Sequence, residues 1–316
     1  MIFIAELCQN HNGKFDTMKK MAYEAKEAGA DYAKIQTIFA DMVSFRERFE
    51  KGVFKKGSQV VIKRPYKDEY SRLKGLEISY EQQRLFIDYC NEIGIKPLTT
   101  AFTRDSVDKI HEIGFKDIKI ASYDCASSFL LNDVKNIFNK IFVSTGASFD
   151  NEIEQAGKIL FGKDFYMLHC VTMYPTPLDQ FHLSRMELLK QYTPNVGWSD
   201  HSLVSENGIK GTLASIYYGA GVVERHMTIL PESETKDGKV SIKPEHIRQI
   251  KSFSRLSKDD KKLYLEDHFP DYEITLGNIN RSLSKEELMN RDYFRGRFSN
   301  KDSKGKSYFN WEDINE

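Results

Sequence analysis

Two lysines, Lys34 and Lys119, stand at the ends of short apolar runs, and Thr100, Ser122, Ser144 and Ser199 end or follow other runs of the same kind. An ammonium supplies a point charge and hydroxyls supply directional hydrogen bonds, so this set suits a bound phosphate or carboxylate. The alternative for such a lysine is a side chain that snorkels, with its stem on apolar surface and its head in solvent. The stretch Gly197-Trp198-Ser199-Asp200-His201-Ser202 adds an imidazole, and "VVERH" adds His226 at the end of the next run. Two histidines on neighbouring strand ends, each beside an acidic residue (Asp200, Glu224), are close enough to share a cation. Taken singly, each is an ordinary satisfied polar residue. Glu6 offers a carboxylate within reach of that metal or of a reacting proton. The residues alone describe a site for an anionic substrate and a divalent metal.

The elements that must position these groups recur along the chain. A short apolar run, "IFIAE", leads through polar residues into "FDTMKKMAYEAKEAG", whose apolar spacing is helical and whose final glycine is a stop signal. About eight such units follow one another, the number that closes a parallel (β/α)8 TIM barrel. An open doubly wound sheet would also alternate strands and helices, but no GxGxxG follows the first strand and there is no P-loop. In a barrel the active site forms at the C-terminal strand ends. The polar residues fall there: Glu6, Lys34 with Gln36, Thr99 with Thr100, Lys119 with Ser122, Ser144, His169, Ser199 with His201, and His226.

Two stretches interrupt the repeat. Residues 40–79 form a long insertion after the second strand, the position of a lid, a substrate-binding loop or a plain surface excursion. After residue 258 the pattern becomes charged, so the expected organisation is a barrel over 1–258 and a short extension over 259–316. That extension is too small to bury its own core and is expected to pack on the barrel or on a partner.

Lysine plus arginine, 46, balances aspartate plus glutamate, 46, so no global field recruits nucleic acid or an anionic membrane. Any anion must be held locally. Cys8, Cys90, Cys125 and Cys170 form no CxxC pair, which argues against a disulfide framework and a structural zinc knot; buried or strand-end thiols in a reducing cytoplasm are expected. The N-terminus lacks the basic and long apolar segments of an export signal, and no apolar run approaches ~18 residues. A cytoplasmic protein is expected.

In order along the chain, "IAELCQNHNG", "EAGADYAKIQT", "TTAFTRDSVD", "KIASYD", "VSTGAS", "LHCVTMYPTP", "GWSDHS" and "GAGVVERHMTI" resemble the sialic acid (N-acetylneuraminate) synthases and their relatives that make other nonulosonic acids. The resemblance covers roughly residues 1–250. It implies condensation of phosphoenolpyruvate with an open-chain N-acyl hexosamine, with release of phosphate. It also implies a divalent metal on His201 and His226, manganese first, with magnesium or cobalt as alternatives. Lys34, Thr100, Lys119, Ser122, Ser144 and Ser199 match the phosphoenolpyruvate cradle, and Glu6 matches the glutamate that manages water. Gln36, Phe102, Tyr174 and Asp237 match the sugar side. Asp124 stands there too, in Ser122-Tyr123-Asp124 where the family has Ser-Gly-Glu. For "NHNG", either Asn10 and Asn12 orient the site or Gly13 simply terminates a turn.

The residues after 294, "RGRFSNKDSKGKSYFNWEDI", resemble the opening of the family's C-terminal antifreeze-like domain. In the family that domain lends an arginine to a neighbouring subunit. A homodimer, with Arg295 or Arg297 in a partner's site or packed on its own chain, is the corresponding expectation. Two other readings of the barrel are a Schiff-base aldolase with Lys119 as nucleophile and a catalytically lapsed barrel that binds sugars.

Overall fold

The computed structural model describes residues 1–313. Eight parallel strands close on themselves: β1 (Ile2–Glu6), β2 (Tyr32–Gln36), β3 (Lys96–Ala101), β4 (Asp117–Ile120), β5 (Lys140–Ser144), β6 (Asp164–Cys170), β7 (Val196–Asp200) and β8 (Val222–His226). Each pairs with the next in sequence, and β8 returns to β1 with Glu6 opposite His226. This is a (β/α)8 TIM barrel.

Side chains alternate along a strand, so one parity faces the barrel interior and the other faces the helices. Ile4, Tyr32, Leu98, Phe142, Leu168 and Val222 form a separate apolar cluster that fills the lower interior. The Tyr32 hydroxyl donates to Asp117 Oδ2 at 2.7 Å across that layer. Two residues further along the same strands come Glu6, Lys34, Thr100, Ser144, Cys170 and Glu224. Each of these six strands is therefore apolar below and polar above on a single face. The opposite parity, including Phe3, Ala33, Ile35, Ile118, Ile141, Met167, Trp198 and Val223, belongs to the large core between barrel and helices.

The helices form where the apolar spacing predicts. Phe15–Glu27 buries Met18, Met21, Ala22 and Ala25, one stripe at helical spacing, and the chain reverses at Gly29 with φ 94°. Tyr80–Ile93 starts with a capping box between Ser79 and Gln82 and ends at Gly94 with φ 78°. The unit after β7 is split by Gly208 into Val204–Asn207 and Lys210–Tyr217. Among the described residues, no helix is long and apolar enough to cross a membrane.

The insertion is structured. It holds a short helix Arg48–Lys51, a hairpin of Val53–Lys55 with Ser58–Val61, and a helix Tyr66–Lys74. Phe49 and Val61 bury against Tyr293, and Val43 bridges Phe298. After the helices Lys258–His268 and Lys285–Phe294, the chain thus crosses the barrel mouth under the insertion. Ser44 N–H donates to Arg297 O, and Ser299 N–H to Met42 O, both at 2.9 Å.

Candidate active site

The inward row of each strand delivers one or two groups to a cavity of about 420 Å³ at the C-terminal end of the barrel. Every residue assigned above to the cradle, the sugar side, the metal or Glu6 lines it.

On the floor, the Lys34 ammonium pairs with Glu6 and lies 3.5 Å from Glu224 Oε2, and it donates to Thr100 Oγ1 at 3.2 Å. The Lys119 ammonium donates to Ser144 Oγ at 2.6 Å and to Ile120 O at 3.2 Å. It stands 3.7 Å from Glu224 Oε1, which also accepts from Ser199 Oγ at 3.3 Å. Ser122 Oγ accepts the Gly146 N–H at 3.2 Å. Both lysines are buried, and a buried charge is tolerated only when paired. Glu6 and Glu224 therefore supply the counter-charge, and neither ammonium snorkels to solvent.

These contacts set the protonation states. Burial opposes charge on Glu224, but Lys119 and then Lys34 outweigh it and hold the carboxyl at about 2. Burial also opposes charge on Lys34, yet Glu224 and Glu6 raise it above the ordinary lysine value. Lys119 is pushed below that value by burial, which Glu224 only partly offsets. His201 falls to about 3, through burial and then the neighbouring His226, so it presents a neutral imidazole.

The other wall carries His201, His226, Tyr174 and Asp237. Ring centres of His201 and Tyr174 are 4.1 Å apart, and those of His201 and His226 are 5.4 Å apart. His201 Nδ1 lies 3.7 Å from Cys170 Sγ. His226 Nδ1 is buried, lacks a hydrogen-bond partner and is 3.9 Å from Asp237 Oδ2. The Cys8 thiol donates to the same Asp237 oxygen at 3.1 Å; burial, reinforced by Asp237 and Glu6, pushes its pKa well up. The ligand atoms of Cys8, His226 and Asp237 lie within 4.8 Å of one another, and His201 stands beside that group rather than in it. The set suits a divalent ion, because the partnerless imidazole nitrogen is buried among a thiol and a carboxylate.

Parity separates residues that are neighbours in sequence. Asp200 faces the helix layer, where it pairs with the buried Arg225, accepts from Thr212 Oγ1 and receives the Ser202 N–H at 2.8 Å. It does not orient His201. Thr99 and His169, grouped above with the polar strand ends, also point outward. Thr99 bonds to Thr37 Oγ1 at 2.9 Å, and His169 Nε2 lies 2.9 Å from Phe181 O. Cys170 takes the inward place on β6.

Asn10 is a positioning residue. Its Nδ2 donates to Met227 O and Ser241 Oγ, both at 2.9 Å, tying the loop after β1 to the loop that carries Asp237. Asn12 Nδ2 donates to Glu234 O at 2.8 Å. Gly13 has φ +70°, and a Cβ there would come within 2.3 Å of Gly75 O, so only glycine fits.

Several lining residues were absent from the sequence assignments. Glu224 and Cys8 had a signal, since each is two positions from an assigned residue on the same face. Arg64, Arg72, Asn310 and Trp311 come from the insertion and the extension, and nothing local in the sequence brings them to the mouth. Asn310 Nδ2 donates to Asp124 Oδ1 and to Phe102 O, both at 2.9 Å. Asp124, which also accepts from Ser127 Oγ at 2.9 Å, is raised to about 6 by burial. Phe102 packs on Phe298 and Tyr123 stacks on Phe294, with ring centres 5.1 and 4.9 Å apart. Arg297 lines the chain's own cavity and pairs with Glu69, whereas Arg295 Nη1 is 3.1 Å from Glu152 Oε1 and its guanidinium lies over Trp311. Both arginines are thus packed on their own chain.

Residues 21–260 match the NeuB family. The chain is 32% identical over 258 residues to an uncharacterized protein of Methanocaldococcus jannaschii, covering 80% of this chain and 69% of the relative. It is 30% identical over 257 residues to the N,N'-diacetyllegionaminic acid synthase of Campylobacter jejuni, covering 79% of this chain and 74% of the relative. The crystal structure of a spore coat polysaccharide biosynthesis protein of Bacillus subtilis matches with a TM-score of 0.71 at 25% identity, over 92% of this chain and 77% of that one. The family match takes in seven of the eight strands that build the cavity, and the chain belongs to the NeuB family.

Proposed function

We propose that this protein is a transferase that joins phosphoenolpyruvate to an open-chain N-acyl hexosamine or a related aldose, giving a nonulosonic acid and phosphate. One observation carries the reading: a single cavity has two buried lysines with hydroxyls on its floor, and a wall of His201, His226, Tyr174 and Asp237 above them. The family relationship supports the same reaction class. In this reading residues 1–258 are the synthase barrel, and 259–316 are an extension whose described residues contribute to its mouth.

Lys34 and Lys119, with Thr100, Ser122, Ser144 and Ser199, hold the phosphate and carboxylate of phosphoenolpyruvate as fixed donors that need not reorganise when charge moves. C3 of the bound enol attacks the aldehyde carbon and forms the new carbon–carbon bond. Positive charge appears at C2, and water adds there. Glu6 holds the proton lost by that water, which balances the proton gained by the aldehyde oxygen as it becomes a hydroxyl. The C2 hydroxyl then passes its proton to the departing phosphate as the C2–O bond to phosphate breaks, which leaves the 2-keto acid and inorganic phosphate. Gln36, Phe102, Asp124 and Tyr174 orient the sugar. A divalent ion, manganese by preference, would be held by His226 with His201 at its side and would act as a Lewis acid toward the aldehyde.

The test is phosphate release from purified protein with manganese, phosphoenolpyruvate and a panel of N-acyl hexosamines and simple aldoses. Release should require both organic substrates together. No release across the whole panel would overturn the proposal.

A further inference from the structure

The thiol of Cys8 has no task in the reaction as described, yet the fold holds it in place at several points. Cys8 follows Glu6 by two residues and continues the inward row of β1 into the cavity. Its φ of 48° lies in the left-handed region that side chains other than glycine rarely adopt. Three contacts keep it there. The Cys8 N–H donates to Glu6 Oε1 at 2.7 Å, the Asn10 N–H donates to Leu7 O at 3.0 Å, and the Asn10 side chain pins the loop to Met227 and Ser241. Ser241 Oγ in turn donates to Asp237 O at 2.7 Å. One hydrogen-bonded chain therefore fixes the loops that carry Cys8 and Asp237 relative to each other.

Three unlike donor atoms meet as a result: a sulfur, an imidazole nitrogen and a carboxylate oxygen, all within 4.8 Å. The second indication is independent of the cysteine. His226 Nδ1 is buried without a hydrogen-bond partner, and an orphaned nitrogen in such a place is missing either a hydrogen-bond partner or a cation.

We propose that Cys8 is a thiolate ligand of the metal and completes a sulfur–nitrogen–oxygen site with His226 and Asp237. The consequence is a change of preferred ion. A thiolate is a soft ligand that favours zinc, cobalt or ferrous iron, whereas magnesium prefers oxygen donors throughout. This chain then selects thiophilic divalent ions over magnesium, and binding releases the Cys8 proton to solvent. The inference rests on the metal-dependent reading above, but it is tested without turnover.

The experiment is optical titration of metal-free full-length protein with cobalt(II). A cobalt–thiolate bond gives a charge-transfer band in the near ultraviolet that nitrogen and oxygen ligands do not give. The wild-type protein should develop this band at one equivalent. Cys8→Ser and Cys8→Gly should lack it and bind cobalt more weakly by roughly ten-fold or more, since losing even a supporting partner of a metal ligand costs about that much. Cys8→Gly guards against misfolding, because glycine suits the observed φ. Cys170→Ser, which removes the other thiol of the cavity, should keep the band. Cobalt binding without the band, or a band that survives in both Cys8 variants, would overturn the assignment of Cys8 and leave the synthase reading standing. Phosphate release, measured separately, decides that reading.

Discussion

The Glu224 carboxylate lies 3.7 Å from the Lys119 ammonium on the cavity floor, an ion pair closed off from solvent before any substrate arrives. Glu224→Gln leaves Lys119 without its counter-charge and Lys34 with Glu6 alone. Breaking a buried pair in this way costs on the order of 3 kcal/mol. Inorganic phosphate should stabilise the variant more than the wild type, because the anion no longer competes with Glu224 for the lysines. The sign of the pH dependence follows from a carboxyl lowered from 4.5 to about 2. Its stabilisation is fully present above 4.5 and is lost as pH falls through about 2, so the two proteins should converge in stability toward pH 2. Urea unfolding across pH, with and without phosphate, checks both parts; equal stabilisation by phosphate would count against the cradle.

Asp124 shifts the other way, from 3.8 to about 6, because it is buried. Between those values the folded chain binds a proton that the unfolded chain does not. This contribution to stability is present below pH 3.8 and is lost as pH rises through about 6. Asp124→Asn keeps an acceptor for Asn310 and removes the titration. Its stability relative to wild type should rise by on the order of 2 kcal/mol across that window. A flat difference would show that the carboxyl is not held in the neutral form.

Asn310 belongs to the extension but touches two groups of the proposed sugar side, Asp124 and the Phe102 carbonyl. Asn310→Ala should raise KM for the aldose by about ten-fold, the equivalent of one or two lost hydrogen bonds. KM for phosphoenolpyruvate should stay unchanged. Steady-state kinetics with each substrate varied in turn separates this from general loosening, which would raise both.

Lys119 has the lowered pKa that a Schiff-base lysine needs, so its chemistry has to be separated by experiment. Its ammonium is already committed to Ser144, the Ile120 carbonyl and Glu224. Borohydride reduction in the presence of pyruvate should leave no adduct on Lys119 by peptide mass analysis. An adduct would favour the aldolase reading and remove Lys119 from the cradle.

The barrel and most of the cavity lining were legible because both depend on local pattern. Each strand ends its apolar run at the level where its inward row becomes polar, so Lys34, Thr100, Ser144 and Ser199 could be assigned from position alone. Alternation within a strand is equally local, yet it was needed to see that Thr99, His169 and Asp200 face the helices while Glu224 and Cys8 face the cavity. The mouth was not legible. Asn310 reaches Asp124 across 186 positions, carried there by contacts such as the Val43–Phe298 bridge and the packing of Phe49 on Tyr293. Those contacts come from a folded insertion whose sequence resembles any polar loop.

The opposite orientation of Ser199 and His201 on one side of β7 and Asp200 on the other bears on which changes this strand can accept. Substitutions at Ser199 or His201 alter the cavity wall; a change at Asp200 breaks the buried pair with Arg225 and affects folding first. Insertion or deletion of a single residue within Val196–Asp200 would exchange the two sets, putting an aspartate among the cavity-lining groups and a histidine against Arg225. A length change inside Val196–Asp200 should therefore be tolerated far less than one in the loops beyond the strand ends.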